Sequence, residues 1–435
     1  MATASGVSLP ELPCAAMALD CGLRVRLIPL PHLQSATVSC FVRVGSRYES
    51  ETTNGLSHFL EHMLYRGTEG HPDAHELSLA IERLGGTLEA ATHVDFSSYD
   101  LTLPPEAIAE GASLLAEVLR RPLLTEFGTE KEIIREEILE ELNESGEQID
   151  IDNVSRRMLY PNHSLGFTIA GPIANLERFD TRALKHHHDT HYTARNAVLC
   201  VAGAFDEESL ASVIREGFED LPGGTPLSAN GDVMAGRDGR FTVVHEPGSQ
   251  TEVRLSFHTP GVRDIAAPAF LLLDRILDDG LSTRVHRVIC EEKGLAYEAF
   301  SGMDSFEDCG VYEFGASVEH GKVPALVETT LDLIRDLQDR PPSADELEKA
   351  KRRYLWDMRT IRDDSEDTSH FVGTSALFSL PEQLGAAAEQ VSAVSADQIQ
   401  SLAQRFLRPE DAYLTCVGIL DNEVRAGLER LITRG

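Results

Sequence analysis

Apolar residues fall along this chain in two alternating rhythms. Short aliphatic runs bounded by Gly, Pro, Asn or Asp predict strands at Leu23–Pro29, Thr37–Val44, Leu88–Thr92, Phe96–Leu103 and Asn196–Ala202. Between them, apolar positions three and four apart predict helices at Asn54–Arg66, Glu76–Leu84, Glu106–Arg120 and Gly128–Asn143. The second of these stops at Gly85-Gly86, a natural terminator. From about Leu221 to Gly239 the chain is rich in Gly, Pro, Ser and Asp and reads as a linker. The rhythm then restarts. Strands are predicted at Phe241–Val244, Glu252–His258 and Gly310–Ser317, and helices at Pro268–Leu277, Thr283–Lys293, Val323–Gln338 and Ala344–Asp363. The repeated order suggests an internal duplication. The expected fold class is α+β, with two homologous domains, each a mixed or antiparallel sheet with packed helices. The expected boundaries are 1–222, a linker at 223–239, and 240–435.

Length agrees with this division, because 435 residues are too many for one core. The formal net charge of −32 argues against nucleic acid and anionic membrane as partners. No run of 18 apolar residues occurs, so no transmembrane helix is expected. Met1–Pro13 lacks a basic region followed by an apolar one, so no secretory signal is expected. Seven scattered cysteines without a C-x-x-C pair suit reduced thiols and a cytoplasmic location.

Chemistry enters at His58-Phe59-Leu60-Glu61-His62, which reads H-x-x-E-H. On a helix, His58 and His62 lie one turn apart on one face, where two imidazoles can grip one Zn²⁺. Glu61 beside them is placed to act as a base on a bound water. A catalytic zinc usually takes three protein ligands, so a third is required.

The candidate lies in the acidic run from Glu130 to Leu142. At 100° per residue, Ile133, Ile134, Ile138 and Leu142 define an apolar stripe. Glu137 falls inside it, Glu130 and Glu141 point the same way, and Glu132, Glu136 and Glu140 point outward. A carboxylate in an apolar stripe needs a partner, and a metal is one. Glu137 is therefore the expected third ligand, with Glu130 or Glu141 supporting from behind.

These segments resemble the pitrilysin (inverzincin) family, and within it the half-length subunits of the processing peptidases. Gly22-Leu23-Arg24-Val25, Val44-Gly45-Ser46-Arg47-Tyr48-Glu49, Asn54 through Met63, and Glu130 through Ile138 carry the resemblance, with 74 residues between His62 and Glu137. It implies zinc on His58, His62 and Glu137, with Glu61 as base. Gly86 through Thr92 resembles the family's substrate-binding edge strand, so Glu89, Ala90 and Thr92 become substrate-binding candidates. The family often has Asn where this chain has Glu89, which suggests a bias toward basic residues. His186-His187-His188 and His191 form a possible metal tract, here read as surface histidines.

One departure stands out. Glu291 through Tyr297 resembles the family's second active-site element, in which an Arg seven residues before the Tyr helps to hold substrate. Tyr297 is present, but Cys290 stands at the Arg position, and Arg284 and Arg287 are out of register. Cysteine cannot supply a charged fork of donors. The resemblance then implies a zinc-bearing subunit whose homologous partner supplies the Arg/Tyr pair. The activity expected is metalloendopeptidase cleavage of small unfolded or precursor peptides inside a closed chamber. The alternatives are a weakened homodimer and a non-catalytic core-type structural subunit.

Overall fold

The computed structural model describes residues 9, 11–125, 127–229 and 239–433. Part of the expected linker (230–238) and most of the N-terminal segment read for targeting signals lie outside the described residues.

Two sheets organise the chain. The first contains β1 (Ala15–Ala18), β2 (Arg24–Pro29), β3 (Ala36–Val42), β4 (Thr87–Thr92), β5 (Ser97–Leu103) and β6 (Ala197–Gly203), in the order β1-β2-β6-β3-β5-β4. The second contains β7 (Phe241–Val244), β8 (Thr251–Pro260), β9 (Ala299–Ser305), β10 (Cys309–Val318) and β11 (Tyr413–Val417), in the order β7-β11-β8-β10-β9. Remove β1, and the sheets superimpose in topology. In each, the first strand runs parallel to the last (β2 with β6, β7 with β11), and the other pairs are antiparallel. This is the repeated order read from the sequence. β9 (AFSGMDS) escaped that reading because its small and polar residues give no apolar alternation.

β3 and β6 are buried at every position. Such continuous apolar runs mark strands covered on both faces. Helices Leu56–Leu64 and Ile108–Arg120 cover one face, and their apolar residues share a core with Val38, Cys40, Leu199 and Val201. The opposite face is covered from the other half of the chain, by helix Ser365–Phe378. Gly373 makes that approach possible, since a Cβ there would meet the Phe41 ring at 2.1 Å. Conversely, helix Ile151–Leu159 of the first half lies on β8 and β11. Each half thus lends one helix to the other's sheet.

Ion pairs, that of Arg43 and Glu307 buried, reinforce the exchange. Glu307 pairs with Arg43 and, at 2.5 Å, with Arg263, and Arg47 reaches both oxygens of Asp308 at 2.6 and 2.8 Å. The linker's start is tied down too, because Leu227 N–H donates to Asn196 Oδ1 at 2.9 Å. All seven cysteines are free thiols. Among the described residues no helix is long and apolar enough to cross a membrane.

Candidate metal centre

The helix carrying H-x-x-E-H spans Leu56–Leu64. Leu56, Phe59, Leu60, Met63 and Leu64 are buried, which leaves His58, Glu61 and His62 on the opposite side. Its start is built by Gly55, whose φ of +102° suits glycine and whose missing Cβ leaves room for Ala170 O. Glu49 caps it, accepting from Gly55 N (2.8 Å), Ser57 N (2.7 Å) and Asn54 Nδ2 (3.0 Å). A carboxylate there satisfies orphan donors and complements the helix dipole. No spacing rule pointed to Glu49, which lies six residues ahead of Gly55 across an irregular turn.

Helix Phe127–Glu140 packs alongside. It brings Glu137 Oε2 to 3.6 Å from both His58 Nε2 and His62 Nε2, which are 3.2 Å apart. These are the one group of three potential metal-binding side chains among the described residues. Two imidazole nitrogens facing each other so closely call for a shared proton or cation. A point equidistant from the three atoms lies about 2.0 Å from each, matching zinc–nitrogen and zinc–oxygen bonds. The residues therefore fit a zinc ion. Burial and neighbouring His62 push the His58 imidazole down to about 3, keeping its lone pair available.

Glu130, buried, accepts from His62 Nδ1 at 2.8 Å and pairs with Arg66. Burial opposes its charge, but His62 and Arg66 outweigh it and hold Glu130 below the usual carboxylate range. The same bond, with the charges of Glu137 and Glu61, lifts His62 against the effect of its burial. The bond fixes the His62 tautomer and turns Nε2 toward His58. Arg66, one turn past His62, was not foreseen.

The helical wheel chose the residues that converge, on partly mistaken grounds. Ile133 is 40% exposed, so the buried stripe is Glu130, Ile134 and Ile138. Glu137 sits at its margin with 43% of its side chain exposed. The neighbouring helix, rather than the apolar stripe, creates its setting. Glu141 does not stand behind the histidines; it accepts from Gln148 and Asn153 at 3.0 Å and shapes the following turn. The histidine tract also needs correction. His187 is buried, with Nε2 3.2 Å from Ser57 Oγ behind the motif helix, while His188 contacts Leu119 O at 2.8 Å.

β4 is an edge strand, as expected. Its Leu88 and Ala90 pack toward the core shared with the motif helix, and Glu89 is exposed on the other face. Thr92 is buried, and the nearness of its hydroxyl and backbone N–H favours the charged form of Glu61. Burial raises the Glu61 pKa even so.

In the second half, the expected helix Thr283–Lys293 is π-helical over His286–Glu292. Tyr297 is 96% exposed, and no hydrogen bond or ion pair joins it to the His58–His62–Glu137 group. Cys290 is half-buried. Arg284 is committed to Glu346 and Asp336, and Arg287 faces Glu292. The helix pair topologically equivalent to the metal-centre helices, Ala267–Asp278 and Ala344–Thr360, is joined by ion pairs. They are Arg275–Asp357 (2.7 Å) and Arg353–Asp279 (2.5 Å).

Comparison with known proteins agrees with this architecture. An uncharacterized zinc protease of Mycobacterium leprae is 26% identical over 394 residues, covering 89% of this chain and 87% of that protein. The mitochondrial-processing peptidase subunit beta of Lentinula edodes is 28% identical over 434 residues, covering 93% and 89%. The crystal structure of a protease from Helicobacter pylori matches in fold, with a TM-score of 0.86, 21% identity, and coverage of 94% of this chain and all of that one. The family model described as insulinase (peptidase family M16) matches residues 24–173, and that described as the peptidase M16 inactive domain matches residues 178–354. With one model on each half, the chain belongs to the M16 peptidase family.

Proposed function

We propose that this chain is the zinc-bearing subunit of a metalloendopeptidase that cleaves small unfolded or precursor peptides. The observation that carries the reading is the meeting of His58, His62 and Glu137 around one point, with Glu61 beside it. His58, His62 and Glu137 would hold the ion, and Glu130 would orient His62. Bound zinc would polarise the scissile carbonyl and lower the pKa of water. The chain's own part is positioning and proton transfer. An extended peptide would pair with the free edge of β4 through main-chain hydrogen bonds, which give affinity with loose sequence demands. Glu61 would take a proton from the attacking water and pass it to the leaving amine. Glu89, exposed on the strand, would favour basic substrate residues.

The second active-site element is incomplete here. Tyr297 projects into solvent and Cys290 cannot replace an arginine. A homologous subunit carrying an Arg/Tyr pair would complete the site and close a chamber around the peptide. The domains would be 1–222 and 240–435, joined at 223–239, in a cytoplasmic protein. The test is metal content and peptide cleavage of Glu61→Gln beside the unmodified chain, each with and without the candidate partner. Zinc retained with cleavage down about 10²–10⁴-fold is expected. Undiminished cleavage by Glu61→Gln overturns the assignment, and full activity of the lone chain overturns the composite site.

A further inference from the structure

Helix Ala344–Thr360 carries a basic and aromatic stripe with nothing packed on it. Leu347, Ala350, Tyr354 and Leu355 are buried and anchor its other side. Arg352, Trp356 and Arg359 stand at i, i+4 and i+7, within about 60° of one another at 100° per residue, and all three are exposed. Trp356, the single tryptophan of the chain, is 63% exposed. Arg353 is committed to Asp279, but among the described residues no ion pair engages Arg352 or Arg359. Tryptophan and arginine are the residue types enriched at the energetic centres of protein interfaces. The topologically equivalent helix of the first half, Phe127–Glu140, exposes the opposite chemistry at the same spacing. Glu132, Glu136 and Leu139 also stand at i, i+4 and i+7, and all are exposed. Leu139 is 44% exposed, and Glu132 meets only Arg135 of its own helix, at 3.5 Å, a surface pair of little strength. Two acids and a leucine on one stripe match two arginines and a tryptophan on the other, in sign and in apolar content.

We infer that the Arg352–Trp356–Arg359 stripe docks a second copy of this chain, seated on the acidic stripe of that copy's helix Phe127–Glu140. In a two-fold pair the contact is made twice, each copy giving one basic and one acidic helix, so the assembly closes. The net charge of −32 does not forbid it. The Debye length is about 10 Å at about 0.1 M salt, so the charges at the contact outweigh the sum over the two molecules. Each contact also removes one large aromatic surface from water, of about 150–250 Å² for a fully buried ring. The pair describes the chain without its proposed homologous subunit, and it does not depend on the peptidase reading.

Sedimentation velocity on the full chain tests it, with Trp356 fluorescence as a local reporter. The wild-type chain should sediment at twice the monomer mass, and its tryptophan emission should move to shorter wavelength as the dimer forms on concentration. Arg352→Glu/Arg359→Glu and Glu132→Lys/Glu136→Lys should each weaken self-association about 100-fold or more, because like charges then face each other. Mixed in equal amounts, the two variants should pair again, since the two reversed stripes meet at one contact and the two unreversed stripes at the other. Thermal melting shows that each variant folds, and the single changes Arg352→Glu and Glu136→Lys serve if a double variant does not. A monomeric wild type, or a dimer indifferent to either set of changes, overturns the inference. So do two monomeric variants that fail to pair on mixing, or a dimer whose tryptophan emission equals that of the monomer. A monomer whose emission shifts on adding poly-glutamate also overturns it, and gives the stripe to an acidic partner of another kind.

Discussion

Glu130→Ala is the most demanding test of how the metal centre is built, because Glu130 touches no point a metal would occupy. It removes the acceptor of the His62 Nδ1 bond, 2.8 Å long between side chains that are 18% and 4% exposed, so solvent screens it little. A hydrogen bond to a charged group contributes about 1.5–3 kcal/mol. At 1.4 kcal/mol per tenfold, its loss should weaken zinc binding about 10- to 150-fold, in line with the usual cost of losing a group behind a metal ligand. Glu130→Gln keeps an acceptor oxygen and the side-chain shape, and should fall between wild type and Ala. The Ala change also strips Arg66 of its buried partner, so thermal melting must accompany the measurement. The assay is competition with a chromophoric zinc chelator, using Glu132→Ala on the exposed face of the same helix as control. Wild-type zinc affinity in a folded Glu130→Ala protein would refute the reasoning. So would equal losses in the Glu130 and Glu132 variants.

The remaining expectations concern ligand choice, the joint between the halves, and pH. Glu137→Gln should lose most zinc while Glu136→Gln keeps it; the reverse result on metal analysis would sink the ligand assignment. Glu307→Ala removes the carboxylate partner of buried Arg43 at the joint and should cost about 3–5 kcal/mol in urea unfolding, whereas a loss below about 1 kcal/mol would show the joint to be solvated. His187 is held down to about 3 by burial and by His191, His188 and His186, so it is neutral in the folded chain and charges on unfolding in acid. Its folded pKa lies below the unfolded value, so its contribution is complete above about 6.5 and is lost as pH falls from there toward 3, at up to about 1.4 kcal/mol per unit. His187→Asn should flatten that part of the stability profile, and an unchanged slope would place the acid sensitivity elsewhere.

Local pattern determined much of this protein. The apolar rhythm set most strands and helices and the repeated order of the two halves, because period and termination are properties of neighbouring residues. The i, i+4 spacing put His58 and His62 on one face, and β4 was readable as a strand. Tertiary structure decided the rest. Glu137 could be named from the sequence, but its proximity to the histidines depends on how two helices pack, and the apolar stripe used to find it is drawn elsewhere, since Ile133 is exposed. His187 was read as a surface residue because nothing in HHH shows that one ring turns under the motif helix. The exchange of helices Ile151–Leu159 and Ser365–Phe378 was invisible. Their apolar faces state that something must be covered, but not which sheet. The cap on the motif helix, Glu49 at its start, belongs to the same class. It joins residues from a turn and a helix, and only the folded chain sets the distances between them.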